Sequence, residues 1–207
     1  MSRSPLGWLP VRSRKAILAV VGLVVAMSIA AVVLFGHGSA PASSAGSDAA
    51  SGVGFSRLDM AAPTFDLPLL QGKGRVTLSK ISGRPIVMNL WASFCDICKE
   101  ESPAVAEVSR LAGGKVSFLG VDTLDERTAA IKFADQHRLS FPMVFDPTGI
   151  VADKYHVPGL PYTFFISETG TRILGVNVGA LTAQSLIKIL HRLYGVSLVS
   201  TPRTRAS

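Results

Sequence analysis

With 207 residues, 48% of them hydrophobic and 17% charged, the chain has room for one core-forming domain and an appendage. The formal net charge of +7 is unevenly spread: Arg3, Arg12, Arg14 and Lys15 lie before residue 16, and Arg203 and Arg205 lie near the end. Between them stand 15 basic against 14 acidic residues, so the basic balance is no footprint of nucleic-acid binding.

Residues 1–15 read as a basic segment. The next 20 positions, 16–35, carry no charge. As a helix rising 1.5 Å per residue they reach across the roughly 30 Å hydrocarbon layer. The cations ahead of them predict a cytoplasmic N-terminus and place the rest of the chain outside the membrane. A cleaved signal peptide is the alternative, since Ala40-Pro41-Ala42 loosely fits a small-x-small site. Secretory apolar regions run only about 7–15 residues, which favours an uncleaved anchor. Either way the chain beyond residue 36 enters an oxidising compartment. Residues 36–57, dominated by Gly, Ala and Ser, read as a flexible linker.

A folded domain is expected over 58–195, with a patternless tail at 196–207. Pro63–Leu70 and Arg75–Leu78 flank a glycine-rich turn and predict a hairpin. Ile86–Trp91 is an apolar strand. From Cys95 to about Leu111 the period is helical, interrupted by Pro103 and ended by Gly113-Gly114. Val116–Val121 is a second strand with the continuous apolar character of a parallel sheet. A helix over 126–138, a short strand over 141–145 and a short helix over 150–155 follow. Strands over 162–167 and 172–178, joined by a tight turn, precede a closing helix over 181–194. The alternation, finished by an antiparallel hairpin, indicates an α/β sandwich built on a mixed sheet.

The only two cysteines form Cys95-Asp96-Ile97-Cys98, delivered by a strand to the first turn of a helix. Helix N-terminal amides and peptide dipoles stabilise a thiolate, so Cys95 becomes a nucleophile at neutral pH. Cys98 is near enough to attack a mixed disulfide and close the intramolecular bond. A purely structural disulfide here closes too short a loop to stabilise much. Structural zinc needs about four ligands, and His37, His137, His156 and His191 are scattered. Covalent haem attachment wants His where Lys99 stands. The pair reads as a dithiol/disulfide redox site, needing no metal and no cofactor beyond its own disulfide.

WASFCDICKEESP and VPGLPYTFFI, in this alternation, resemble the thioredoxin fold. More narrowly, residues 58–195 are similar to the TlpA/ResA-like, membrane-anchored thiol–disulfide oxidoreductases of cytochrome c maturation. The resemblance implies that Cys95 attacks, Cys98 resolves, and Glu101 serves as the nearby catalytic acid. It places a cis-proline at Pro161, where the Leu160 backbone would pair with an extended substrate by strand addition. Trp91 and Phe94 are expected as walls of a shallow apolar rim that contacts substrate. Three departures stand out. Asn89 occupies the place of the buried aspartate of cytosolic thioredoxins, Ile97 stands where much of the family has Pro, and Phe94 replaces Trp. The implied partners are disulfide-containing exported proteins such as apocytochrome c, a membrane electron donor of the CcdA/DsbD kind, and the bilayer itself. The implied location is a single-pass cell-membrane protein with its catalytic domain outside. Two other readings stay open: the same site run backward as a disulfide-forming oxidase, and a metal-binding or anchored interaction module.

Overall fold

The structure is a computed structural model and describes residues 54–198. The basic segment 1–15, the expected membrane segment 16–35, most of the linker and the end of the tail lie outside the described residues. No helix among the described residues is long and apolar enough to cross a membrane.

Among the described residues, eight strands and four α-helices follow in order: β1 Gly54–Ala61, β2 Leu67–Pro68, β3 Arg75–Val76, β4 Ile86–Trp91, α1 Asp96–Ala112, β5 Ser117–Thr123, α2 Arg127–Gln136, β6 Met143–Asp146, α3 Ile150–Lys154, β7 Tyr162–Ile166, β8 Arg172–Val178 and α4 Ala183–Tyr194. Six strands form one mixed sheet ordered β1-β8-β7-β4-β5-β6. The β4–β5 and β5–β6 pairs are parallel, and the β4–β7, β7–β8 and β1–β8 pairs are antiparallel. This is the thioredoxin-like sandwich that the sequence led us to expect.

Strand β4 lies near the middle of the sheet, and all six of its residues are buried. That double-sided burial is why the strand is continuously apolar. On one face Val87, Phe118 and Phe165 pack against Val105 and Val108 of α1 and Leu186 and Leu190 of α4. The same face continues into Trp91, Cys98, Ala106 and, from α2, Ala130 and Phe133. On the other face Met88, Leu90, Leu119 and Val121 meet Val151, Ala152 and Tyr155 around α3, together with Leu78. Each large side chain so enclosed contributes about 1.5–3 kcal/mol. The helix carrying the cysteines is therefore clamped along its length, while its first turn stays at the sheet's rim.

Two boundaries depart from expectation. Residues 54–57, expected in the linker, belong to β1. They pair with β8, Phe55 opposite Asn177 and Arg57 opposite Gly175. The reason is packing: the Phe55 ring meets Phe165 edge-on at 5.7 Å and covers Gly175, where a Cβ would come within 2.6 Å of it. The expected hairpin is present only as the two-residue strands β2 and β3. The segment after β2 covers the β6 edge, Leu70 N donating to Met143 O at 2.8 Å, and an exposed edge is thereby protected.

Candidate active site

The chain leaves β4 at Trp91, turns through Ala92-Ser93-Phe94 and enters α1 with Cys95 as its N-cap. A cap normally offers a side-chain oxygen to the unpaired amides of the first turn. Here the acceptor is sulfur, with Cys98 N donating to Cys95 Sγ at 3.1 Å. The same amide and the helix dipole favour an anionic sulfur once the bond is reduced. In the structure Cys95 and Cys98 are joined as a disulfide. Cys95 is half-buried and Cys98 fully buried, so only Cys95 is open to an incoming disulfide. Asp96, exposed beside them, is held below its usual range by Lys99, whose Nζ lies 2.7 Å from Oδ1. The Lys99 charge offsets the repulsion Asp96 would exert on a thiolate.

One turn further on, Glu101 shares the buried stripe of α1 with Cys98, as residues three apart on a helix do. It is 2% exposed. Asn89 Nδ2 donates to its Oε1 at 2.8 Å and Leu181 N to its Oε2 at 3.1 Å. Burial pushes its carboxyl up to about 7, with those two donors pulling the other way. Asn89 also donates to Thr163 Oγ1 at 3.0 Å, linking α1, β4 and β7 behind the sulfurs. An amide at position 89 cannot titrate, so of this hydrogen-bonded pair only Glu101 can.

In front of the disulfide lies a hollow of about 410 Å³, lined by Cys95, Phe94, Ile97, Leu124, Val157 and Leu160 among others. Phe94, Ile97 and Leu124 are 62%, 48% and 59% exposed. Three large apolar side chains left in water around a reactive sulfur make a contact surface. The Leu160–Pro161 bond is cis. Leu160 packs against the cluster holding both cysteines and stands just ahead of the β7 ladder, which begins at Tyr162.

Of the residues named from sequence, Cys95, Cys98, Glu101, Phe94, Leu160 and Pro161 come together at this end of the sheet. Trp91 does not join them at the surface, and its assignment to the substrate rim is corrected. It is 1% exposed and stacks on Phe133 with ring centroids 4.7 Å apart. The last side chain of a strand buried on both faces has nowhere to go but under α2. Gly120 makes the space, since a Cβ there would lie 2.9 Å from Trp91 Nε1. The sequence reading missed Ile97 and Leu124 as rim residues. It also missed Asp122, Asp125 and Asp146, which gather where β5 and β6 end. The available signal was an acid directly ending the apolar run Val116–Val121.

Comparison with known proteins agrees with this geometry. A family model described as the AhpC/TSA family matches residues 58–172. The chain is 32% identical over 130 residues to the thioredoxin-like protein YneN of Bacillus subtilis, covering 60% of this chain and 74% of that protein. It is 32% identical over 122 residues to the thiol-disulfide oxidoreductase ResA of the same organism, covering 58% and 67%. A DsbF homologue from Corynebacterium diphtheriae superposes with a TM-score of 0.60 at 25% identity, over 70% of this chain and 96% of that one. With the Cys95/Cys98 disulfide at the head of α1 and a buried carboxyl behind it, the chain belongs to the AhpC/TSA family, among its thioredoxin-like ResA/DsbE thiol–disulfide oxidoreductases.

Proposed function

We propose that this is a membrane-anchored, extracytoplasmic reductase that opens disulfides in exported proteins, apocytochrome c among them. The observation that carries the reading is the split environment of the two sulfurs, Cys95 facing an apolar hollow and Cys98 sealed beside Glu101. In the reductive direction the Cys95 thiolate attacks one sulfur of the substrate disulfide. A Cys95–substrate bond forms, the substrate's own bond breaks, and a substrate thiolate leaves. Cys98 then gives its proton to the Glu101 carboxylate and attacks Cys95 Sγ, releasing the second substrate thiolate. The substrate gains two electrons and the protein ends as the disulfide. A carboxyl poised near neutrality is populated in both forms at physiological pH, as a group that both takes and returns a proton requires. Reduction back to the dithiol calls for two electrons from outside, the task of a membrane donor of the CcdA/DsbD kind. The uncharged stretch 16–35 supports the anchor.

A second reading runs the same site as an oxidase, and the Lys99–Asp96 pair favours it, because a better-stabilised thiolate makes the disulfide more oxidising. The reduction potential of the Cys95/Cys98 couple separates the two. A value near thioredoxin's ~−270 mV supports the reductase, and one near DsbA's ~−120 mV the oxidase. A protein unable to reduce an oxidised Cys-x-x-Cys-His peptide at catalytic rates would remove apocytochrome c from the reading. Membrane fractionation of cells with and without residues 16–35 tests the anchor.

A further inference from the structure

Asp122, next to last in β5, is fully buried, and neither of its carboxyl oxygens receives a hydrogen bond. It lies in register with Trp91, whose Nε1 is likewise buried without a partner. An ionised carboxylate in such a place costs several kcal/mol. The charged groups that face it are Asp125 on the following turn, Asp146 at the end of β6 and Arg127 at the start of α2. The one cation is engaged elsewhere. Arg127 Nη1 donates to Leu69 O and Leu70 O at 3.0 and 2.6 Å, and its guanidinium lies 4.2 Å over the Phe145 ring. Burial first, then the Asp125 charge, hold the Asp122 carboxyl up to about 8. A neutral acid accepts nothing here but has one proton to donate, and Asp125, three positions on and among the charged groups facing it, is the neighbour able to take it.

Asp125 in turn grips the loop that carries the sulfur. Its Oδ2 accepts from Ser93 N and its Oδ1 from Ser93 Oγ at 2.9 Å, two residues before Cys95. The turn between the two acids is itself held in an unusual shape. Leu124 sits at a φ of 57°, which costs a non-glycine residue about 1–2 kcal/mol, and its N–H donates to Asp146 O at 3.0 Å. We propose that Asp122 is a positioning residue for Cys95: as a neutral acid it donates to Asp125, which then clamps Ser93 and the turn presenting the sulfur. Loss of the Asp122 proton sets two carboxylates against each other, loosens the clamp and slows thiol–disulfide exchange on the alkaline side. The inference rests on the exchange reading of Cys95 and Cys98 given above.

Carboxyl-carbon and amide NMR of the full-length oxidised protein from pH 4 to 9.5 tests the clamp without any activity. The Asp122 carboxyl and the Ser93 amide are expected to titrate together near pH 8. An Asp122 midpoint in the ordinary range near 4, or a Ser93 amide indifferent to it, overturns the inference. The kinetic counterpart follows the reduced protein reacting with glutathione disulfide from pH 6 to 10. In the wild type the rate should fall at least threefold below that set by the thiolate fraction once the pH passes 8. Asp122→Asn, whose amide still donates to Asp125, should track the thiolate fraction throughout, and Asp122→Leu should be slow at every pH. Superimposable wild-type and Asp122→Asn profiles would overturn the clamp and leave the exchange chemistry standing. A wild type that exchanges no disulfide at any pH would instead sink the functional reading, with the NMR titration still deciding for or against Asp122.

Discussion

Replacing Glu101 with Gln removes a proton site whose occupancy differs between the folded and unfolded chain. Unfolded, the carboxyl titrates at 4.5; folded, it is held up to about 7. Between those values the unfolded chain sheds the proton while the folded one keeps it, so stability falls as pH rises through that window and levels off above 7. At 1.36 kcal/mol per pH unit the loss amounts to roughly 3 kcal/mol, undiminished by solvent because the side chain is 2% exposed. Gln carries no such penalty, though its single oxygen can serve only one of the donors Asn89 Nδ2 and Leu181 N. The donor left facing its NH2 costs about 1–3 kcal/mol, but equally at every pH. Urea unfolding of the oxidised wild type and Glu101→Gln at intervals from pH 4 to 8 should therefore show the variant gaining roughly 3 kcal/mol on the wild type across the series. Taking the difference between proteins cancels other titrating groups, Asp122 included. Unfolding curves that stay parallel from pH 4 to 8 would refute the burial argument. They would also take away the reason for giving Glu101 the Cys98 proton.

The other sites make separable demands. Trp91→Phe keeps the stack on Phe133 and deletes an unpartnered N–H, so its stability should stay within about 1 kcal/mol of wild type and its KM for a peptide disulfide should not move; a raised KM would restore Trp91 to the substrate rim. Leu124→Gly relieves a left-handed backbone and should raise the unfolding free energy by about 1 kcal/mol while weakening peptide binding, both readable on one preparation. Asn89→Asp places a second carboxyl against Glu101 Oε1; like charges at that separation push the Glu101 pKa above 7, visible as an alkaline displacement of the lower limb of the pH–rate profile. Gly120→Ala drives a Cβ to 2.7 Å from Met143 Cγ and should cost about 1–3 kcal/mol, measured by the same urea titration.

The features legible in the amino-acid sequence are those that depend on near neighbours along the chain. The Ile86–Trp91 strand, the helix start at Cys95 and its end at Gly113 follow from an apolar run, a change of period and a glycine, and the structure places them within a residue of expectation. The strand at Gly54–Arg57 escaped because its stabilisation comes from Gly175 and Phe165, more than a hundred positions away, and its composition is that of a linker. The side to which Trp91 points escaped for the opposite reason. On a strand apolar at every position the period of two disappears, and sequence offers no means of telling rim from core. Glu101 was more legible than a Lys-Glu-Glu run suggests. Cys98, Glu101, Val105, Val108 and Ala112 recur at helical spacing on one buried stripe of α1, and a carboxyl in a core position has to be either paired or protonated.

The same rule reaches Asp122, which continues the buried face of β5 beyond Phe118 and Gly120. The role proposed for Glu101 needs an acid that takes and returns a proton near neutrality, and the one proposed for Asp122 needs an acid that keeps its proton there; ordinary surface carboxyls, ionised well below neutrality, do neither. The simplest way for a chain to raise such a group is to set it where an apolar residue belongs. That placement destabilises the fold above the group's unfolded pKa, so a buried carboxyl without structural partners points to a functional site. Asp146, equally buried, is held by Thr123 Oγ1, Ile150 N and Val151 N and so serves the fold; Glu101 beside the resolving sulfur and Asp122 behind the loop of the attacking one are better explained by the disulfide than by anything the fold itself requires.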